Sequence, residues 1–361
     1  MLQDLYKNTN AVFLAHGYVG KLLGKTINGV IMHSTVFNVV ALVDKDNAGI
    51  DTSKAIPGVR KKIPVYESFS ETIKHQPKVV ILMENSINIS FNEIKEAIKA
   101  NMDIINPGFN LLNNNTDLLS LAREYNVKLI DLREPNKIKR NPNGSIRDIK
   151  SKVVYIAGTD CGLGKRTATY ELLLEAKKRE INAAYAATGQ TGIMLGCDGG
   201  IVIDSISMQF GAGAVEDLIV NIDKKGFDII FLEGQAAIMH YATSSSVVLL
   251  HVGNPHAIVM VHDQKRTMHV EYGDSPIFKM GTLKNEIEIV EKLSLPGGNE
   301  FKVVAIATIG DDNIETLEKM RDRNEIPNLP IADARKIGGP EILLDAVLKH
   351  LKEKYNWRPG N

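Results

Sequence analysis

Cysteine is scarce in this sequence of 361 residues, which contains only Cys161 and Cys197. Two cysteines cannot build a disulfide framework, and their spacing excludes the CxxC pattern of zinc and redox sites. An excess of positive charge is also missing, because 43 Lys and Arg residues balance 43 Asp and Glu residues. A nucleic-acid-binding surface needs such an excess to neutralise phosphates. We therefore expect no nucleic-acid partner, although a local basic pocket is compatible with this balance.

Long apolar runs are missing as well. No stretch of 18 apolar residues occurs, so no membrane-spanning helix is predicted. The first residues lack the apolar segment and the cleavage site of a signal peptide. The longest stretch without Asp, Glu, Lys or Arg covers residues 234–262, and His, Ser, Asn and Pro interrupt it. This pattern indicates buried strands around a polar site, and we expect a cytoplasmic protein with no membrane partner.

What the chain does have is the composition of a globular protein, with 44% hydrophobic and 24% charged residues and room for two domains. Short apolar runs alternate with helical patterns, which predicts an α/β fold with mainly parallel sheets. A polar segment rich in Pro and Asn at 134–150 predicts a linker between domains 1–148 and 149–361. The strands predicted in the second domain are 152–157, 182–187, 227–232, 246–252, 257–262 and 302–308.

The strongest chemical signal is GTDCGLGKRT, which follows an apolar strand and precedes a helical pattern. Its glycines let the backbone turn tightly and direct N–H groups inward, and its lysine adds a positive charge. The spacing is that of a Walker A phosphate loop lengthened by one residue. We expect a P-loop nucleotide-binding domain, the alternative being an ordinary glycine-rich turn. The predicted phosphate-binding residues are Gly158, Thr159, Asp160, Cys161, Gly162, Gly164, Lys165, Arg166 and Thr167.

One position departs from the common phosphate loop. The lysine is normally followed by Ser or Thr, whose hydroxyl holds Mg²⁺, but Arg166 stands there and Thr167 comes one residue later. A shift of one residue rotates a side chain by about 100° around a helix. We therefore expect phosphate binding aided by Arg166, and the sequence does not support Mg²⁺-dependent hydrolysis. For Cys161, a passive small residue is favoured over a nucleophile.

Polar groups after the neighbouring strands are the next candidates. Glu233 ends the strand FDIIFLE and Gln235 follows it, at a position where a carboxylate can hold Mg²⁺ or act as a base, the alternative being a helix cap. Gln190 lies in the glycine-containing loop ATGQTGIM, which suits ligand binding as well as it suits a turn. His262 ends a later strand and precedes Lys265 and Arg266, a set suited to acid–base chemistry and carboxylate recognition or to a solvated strand end.

Five histidines fall between residues 240 and 269, but none are spaced as HxH or HxxxH, so no metal site is predicted. The N-terminal domain carries a weaker signal. Gly17 and Gly20 follow its first strand and Asp44 ends its second, which leaves the dinucleotide fingerprint GxGxxG incomplete. A Rossmann-like scaffold without NAD is therefore favoured over an NAD site.

Several of these motifs together resemble a known family. GTDCGLGKRT with FLEGQ is similar to the dethiobiotin-synthetase branch of P-loop proteins, and Arg166 fits a smaller two-domain family better. That family is named for D-glutamate N-acetyltransferase, and the resemblance covers nearly the whole chain. It rests on AHGYVGK, GKTING, DKDNAGID, IDLREP, GTDCGLGKRT, ATGQTGIM, QFGAGAVED, EGQAAIMH and VMVHDQKR.

The resemblance implies a Rossmann-like N-terminal domain, a P-loop NTPase-like C-terminal domain and a role in D-amino acid metabolism. The implied activity is transfer of acetyl from acetyl-CoA to an acidic amino acid such as D-glutamate. Glu233, His240 and His262 are candidates for the base, while Lys265 and Arg266 are candidates for carboxylate binding, beside Gln190 and Gln235.

Two other functions stay open at this point. One is an ATP-dependent ligase or kinase of the dethiobiotin-synthetase type, which would use Mg²⁺. The other is a nucleotide sensor without turnover. All three take a small-molecule ligand, and we expect a homo-oligomer.

Overall fold

The computed structural model describes residues 2–21, 24–56, 58–83, 90–134, 140–269 and 278–360. Contacts between residues divide the chain into two units. The first comprises residues 1–135 together with 190–197, and the second comprises residues 136–189 and 198–361. Among the described residues, no helix is both long and apolar enough to cross a bilayer.

Two sheets form the framework of the units. The first unit contains β1 (Thr9–Leu14), β2 (Phe37–Val43), β3 (Val65–Tyr66), β4 (Val79–Leu82), β5 (Asp103–Asn106) and β6 (Leu129–Asp131). The second contains β7 (Lys152–Gly158), β8 (Ala183–Ala187), β9 (Gly199–Gly200), β10 (Ile229–Glu233), β11 (Ala257–Val261), β12 (Val303–Thr308) and β13 (Ile331–Asp333). The α-helices are α1 (Leu2–Tyr6), α2 (Lys25–His33), α3 (Thr52–Ala55), α4 (Phe91–Lys99), α5 (Thr116–Glu124), α6 (Lys165–Lys178), α7 (Gln190–Leu195), α8 (Met208–Asp223), α9 (Ser245–Gly253), α10 (Leu283–Lys292), α11 (Asp311–Asp322) and α12 (Gly339–Tyr355).

The first unit is built on a parallel sheet with strand order β3-β2-β1-β4-β5-β6. Its central strands are fully buried, as continuous apolar runs in parallel sheets are. Helix α7 belongs to this unit, although the sequence assigned its residues to the second domain. It is held to the segment after α2, where Ser34 Oγ donates to the Met194 carbonyl at 2.7 Å and Thr35 N to the Leu195 carbonyl at 2.9 Å.

The acid that follows β2, Asp44, already accepts hydrogen bonds from the protein's own backbone. Asp44 is buried, and its carboxylate accepts hydrogen bonds from the backbone N–H groups of Val19 at 3.2 Å and Asp46 at 3.1 Å. Gly20 has a φ of +74°, and a Cβ there would lie 2.4 Å from the Ala55 carbonyl oxygen. A dinucleotide site needs such an acid for a ribose hydroxyl, so these contacts favour a scaffold role for the loop.

The second unit is also a parallel sheet, with order β13-β12-β11-β7-β10-β8-β9. Central β7 pairs with β10 and β11, and the register sets Gly158 against Val261 and Ile156 against Glu233. The carboxyl ends of these three strands therefore lie side by side. Ligands of open parallel sheets bind at that edge. The predicted α/β class with parallel sheets is confirmed.

The prediction of a strand at 246–252 is wrong, because these residues lie in helix α9. A buried apolar run does not by itself distinguish a strand from a helix. The topology decides it here. Strands β10 and β11 both run parallel to β7, so the chain must return across a face of the sheet between them, and a helix usually makes that crossover.

The polar segment before β7 is anchored on α8. Glu216 is fully buried and accepts hydrogen bonds from Arg140 at 2.9 Å and from the backbone N–H groups of Asn143 and Gly144, both at 2.8 Å. A Cβ at Gly213 would lie 2.0 Å from the Arg140 carbonyl oxygen, so only glycine lets the segment approach this closely. The motif QFGAGAVED thus holds residues 140–144 against the second unit.

We expect Glu216→Ala to lower the free energy of unfolding by about 1–3 kcal/mol, because it removes the buried acceptor shared by Arg140, Asn143 and Gly144. Denaturant unfolding of the full chain measures the change. The control is Asp217→Ala, which removes a more exposed carboxylate contacting the same arginine. An equal loss in both variants would contradict the anchoring role of Glu216.

The same contact predicts a pH dependence. Burial opposes ionisation of Glu216, yet hydrogen bonds from the backbone of Asn143, the guanidinium of Arg140 and the backbone of Gly144 hold its pKa below the ordinary 4.5. Ionised Glu216 therefore stabilises the fold above pH 4.5, and this contribution is lost as the pH falls through the folded-state pKa. Below pH 4.5, the stability of wild type should fall more steeply than that of Glu216→Gln.

Candidate functional site

The loop between β7 and α6 wraps around a lysine. Lys165 is the first residue of α6, and its buried side chain donates from Nζ to the Asp160 carbonyl at 2.5 Å. Gly162 and Gly164 have φ values of +66° and +96°, which favour glycine. A Cβ at Gly158 would lie 2.8 Å from Cδ of Lys165. This geometry is that of a phosphate loop at a helix N-terminus.

The two residues after the lysine point in different directions. The guanidinium of Arg166 acts electrostatically on Glu233 at the end of β10, on one side of β7. Thr167 lines a small cavity with Val261 and Thr308, from β11 and β12 on the other side. Thr167 therefore lines a cavity formed with β11 and β12, whereas Glu233 ends β10. A fixed cation stands beside the strand-end acid instead.

Glu233 is a buried carboxyl within a polar network of its own. Its Oε2 accepts hydrogen bonds from the Tyr185 hydroxyl at 2.9 Å and the Thr188 backbone N–H at 3.1 Å. Burial raises its pKa, although the charge of Arg166, the two hydrogen bonds and the charge of Lys165 oppose this. Gln235 Nε2 donates to the Thr188 hydroxyl at 2.9 Å, so Gln235 positions the residue that caps Glu233.

A second buried cluster surrounds Asp160, within the phosphate loop. Oδ1 of Asp160 lies 2.9 Å from Nδ1 of His269 and 3.5 Å from Nε2 of His240, and Oδ2 accepts from Nη1 of Arg266 at 3.1 Å. Nη1 of Arg266 also donates to the Cys161 carbonyl at 2.5 Å. The structure thus brings Arg266 and His240, both predicted site residues, to the same loop as Lys165. We call Asp160, Cys161, His240, Arg266 and His269 the Asp160 cluster.

The hydrogen bonds of His240 indicate where its proton lies. The backbone N–H of Ala242 donates to Nδ1 of His240 at 3.2 Å, so the neutral ring carries its proton on Nε2. That nitrogen is 4.0 Å from Sγ of Cys161 and 3.5 Å from Asp160. In this state, His240 is a hydrogen-bond donor toward the cluster.

Three members of the cluster could also hold a metal ion. The ligand atoms of Asp160, Cys161 and His240 lie within 4.8 Å of one another, which the spacing of the histidines did not reveal because the ligands come from separate segments. Three contacts oppose this role. A metal-bound histidine donates its other ring N–H to an acceptor, whereas that nitrogen of His240 accepts, and the Asp160 carboxylate already contacts Arg266 and His269.

The other predicted residues lie outside this cluster. His262 contacts the Thr159 hydroxyl at 2.8 Å and Gln264 Oε1 at 2.9 Å, and burial lowers its pKa, so it braces the phosphate loop as a neutral ring. Lys265 is exposed and pairs with Asp312 at 3.0 Å. Gln190 begins helix α7, which belongs to the first unit.

Sequence reasoning missed Glu286, in the first turn of α10. Its side chain is buried with an exposure of 1%, and Asp160 acts on it electrostatically. A signal was present. Leu283, Ile287 and Val290 mark the core-facing side of this helix at spacings of three and four residues, and Glu286 falls on the same side. An acid on the apolar face of an amphipathic helix is costly to bury and therefore a candidate functional residue.

Comparison with known proteins places this architecture in a family. A profile described as a domain of unknown function, the DUF1611 P-loop domain, matches residues 141–343, and its Rossmann-like N-terminal counterpart matches residues 45–135. The chain belongs to the DUF1611 family. A crystal structure of a DUF1611 family protein from Anabaena variabilis has a TM-score of 0.85 and 26% identity, covering 95% of this chain and 100% of that one.

Two curated relatives are named D-glutamate N-acetyltransferase. The one from Pseudoalteromonas sp. is 35% identical over 175 residues, 48% of this chain and 51% of that protein. The one from Tritonibacter scottomollicae is 28% identical over 257 residues, 70% of this chain and 74% of that protein. The chain thus matches about half the length of the first relative and about three quarters of the second.

We expect Lys165→Ala to abolish binding of phosphorylated ligands while leaving the fold intact, because the residue supplies the charge at the loop–helix junction. Calorimetry with acetyl-CoA, ATP and GTP measures the affinities. Lys319→Ala, which removes an exposed lysine of α11, is the control and should bind as wild type does. Equal affinities in wild type and Lys165→Ala would show that the loop is only a turn.

We also expect chelation to have little effect. Nδ1 of His240 already accepts a hydrogen bond and Asp160 already contacts Arg266 and His269, so the purified protein should hold substoichiometric zinc, and EDTA should leave its ligand-induced thermal shift unchanged. Elemental analysis and melting curves give both readouts. One bound metal per chain that His240→Ala removes would overturn this assignment.

Proposed function

We propose that this protein is an N-acyltransferase that moves acetyl from acetyl-CoA to the amino group of D-glutamate or a similar acidic amino acid. The names of the two relatives support this reaction, and so does the P-loop domain. The observation that carries it is the position of Arg166. A guanidinium stands beside Glu233, where a Mg²⁺-dependent P-loop enzyme needs a metal held by a hydroxyl and an acid.

The phosphate loop suits the phosphorylated end of coenzyme A. That molecule carries a pyrophosphate and a 3′-phosphate, and Lys165 and Arg166 supply two positive charges at the N-terminus of α6. Fixed cations and backbone N–H groups bind phosphate without a metal. Binding of acetyl-CoA in this manner requires no Mg²⁺.

The Asp160 cluster suits the acyl end of the reaction. Transfer forms a bond between the acceptor nitrogen and the acetyl carbon and breaks the bond from that carbon to sulfur, with negative charge developing on the carbonyl oxygen. A buried N–H donor stabilises such an oxyanion, and Nε2 of His240 is one. The exposed apolar side chains of Met239, Tyr241 and Phe278 lie beside this histidine along the chain or through ring contacts. They offer apolar surface to an acyl-bearing chain.

Arg266 is the candidate for recognition of the acceptor. Its side chain is 19% exposed and joins Asp160 at the phosphate loop, so a substrate carboxylate can approach a guanidinium whose position is already fixed. Lys265 lies outside the cluster, which leaves Arg266 as the cation of this pair suited to the role.

A ligase or kinase that uses ATP is the second candidate. The combination of Lys165 in the loop with Glu233 at the end of a neighbouring strand favours it, because P-loop enzymes use both. Arg166 opposes it, since it stands in the position after the lysine where a Mg²⁺-dependent enzyme has Ser or Thr, and Thr167 lines a cavity with residues of β11 and β12.

The test incubates the full chain with acetyl-CoA and D-glutamate in EDTA and follows release of the CoA thiol and formation of the N-acetylated product by mass spectrometry. We expect transfer without added metal. ADP formation that depends on Mg²⁺, with no acetylated product, would restore the ligase. Ligand binding without turnover would indicate a sensor.

Arg266→Gln tests recognition of the acceptor. We expect KM for D-glutamate to rise about 10- to 100-fold, the equivalent of about 1.5–3 kcal/mol for a lost charged hydrogen bond. KM for acetyl-CoA should change little, and circular dichroism with a melting curve checks that the fold survives. Equal weakening of both substrates would contradict the assignment.

A further inference from the structure

The carboxyl group of Glu286 is buried without a hydrogen-bond partner in the part of the chain that the structure describes. Neither of its oxygens has a hydrogen-bond partner among the described residues, although the side chain is 1% exposed. Buried polar atoms nearly always have a hydrogen-bond partner. A buried polar atom without one destabilises the fold by about 1–3 kcal/mol, and a charged group destabilises it more. An unpaired buried carboxyl therefore indicates a partner that binds there.

The position of this carboxyl is beside the Asp160 cluster. The point where a Cβ of Gly281 would stand is 3.3 Å from Oε1 of Glu286 and 3.5 Å from Sδ of Met239, the residue that precedes His240. Burial raises the pKa of Glu286 to about 7, and the nearby negative charge of Asp160 adds to the effect. Two acids thus lie close together, and among the described residues Asp160 is paired with Arg266 and His269 whereas Glu286 is unpaired.

The chemistry of the partner follows from this contrast. A carboxylate or a phosphate in contact with ionised Glu286 would be repelled, whereas a protonated amine supplies both a positive charge and N–H donors. The three bases predicted from the sequence differ from Glu286 in having hydrogen-bond partners. Oε2 of Glu233 and both ring nitrogens of His262 are hydrogen-bonded, and Nδ1 of His240 accepts from the backbone.

We propose that Glu286 is the catalytic residue that receives the ammonium group of the acceptor and takes a proton from it. This rests on the proposed acyl transfer. The carboxylate accepts one proton from the ammonium, and the neutral amine then attacks the thioester carbonyl carbon. As the bond from that carbon to sulfur breaks, the second proton leaves the nitrogen and the CoA sulfur departs as a thiol. A carboxyl that titrates near neutrality matches this task.

The experiment compares wild type, Glu286→Gln and a matched control on the same helix, Glu288→Gln, whose carboxylate is 43% exposed and lies 3.8 Å from Lys292. With saturating acetyl-CoA, kcat of Glu286→Gln should fall at least about 100-fold, within the range of one lost general base. Glu288→Gln should keep the wild-type rate, and the Kd for acetyl-CoA should be unchanged in all three. Added formate should partly restore the rate of Glu286→Ala, which a merely structural role would not allow. Full activity of Glu286→Gln, or no rescue by formate, would overturn the proposal.

A binding experiment tests the role of Glu286 independently of which reaction the protein catalyses. Melting curves compare three amines with their deaminated analogues: D-glutamate with glutarate, D-aspartate with succinate and D-alanine with propionate. Wild type should be stabilised by an amine over its analogue, and Glu286→Gln should lose that preference. If wild type acetylates no acidic amino acid but shows this preference and loses it in Glu286→Gln, the reaction is wrong and the amine site stands. If wild type never prefers an amine, the role of Glu286 is wrong.

Discussion

The buried carboxylate of Asp160 is the constraint on which the second unit's edge depends. A carboxylate with no exposure must be neutralised, and this one recruits a guanidinium and a histidine from the segment after β11 and faces another histidine from the segment after β10. Its own backbone carbonyl holds the phosphate-loop lysine. One residue thus ties three strand ends together, so that phosphate binding and the polar cluster share a single support.

The charged residues at this edge of the sheet form two groups. On the β10 side, Lys165 and Arg166 act on Glu233, whose oxygen also has neutral donors. At the loop, Asp160 meets Arg266 and two histidines. Among the described residues, Glu286 has no such partner, and this contrast is the basis of our proposal that it receives a cation.

Much of this architecture was predictable from the sequence, because it depends on local pattern. The phosphate loop is a contiguous motif, and the long apolar strands carry a strong signal. The short edge strands β3, β9 and β13 have two or three residues each and give too little pattern to detect. Helix α9 was mistaken for a strand because a fully apolar run has no periodicity that distinguishes the two.

The composition of the site was harder to predict, because it depends on pairs distant in sequence. Cys161 and His240 are 79 residues apart and meet only when β7 and β10 pair. The histidine spacing could not reveal that meeting. Glu286 was detectable in principle from the apolar face of α10, but that its carboxyl has no hydrogen-bond partner in the described parts of the chain is visible only in three dimensions.

Helix α7 gives the chain an order of assembly. Its residues follow β8 of the second unit, yet they belong to the first, so neither unit is a continuous piece of polypeptide. During synthesis on the ribosome, the strands of the first unit emerge before α7 does. The hydrogen bond from Thr35 N to the Leu195 carbonyl can therefore form only after residue 195 has been made. A cut between the predicted domains would deprive the first unit of that helix. Recombination that replaced one unit by a single continuous segment would therefore also separate residues 190–197 from the unit to which they belong.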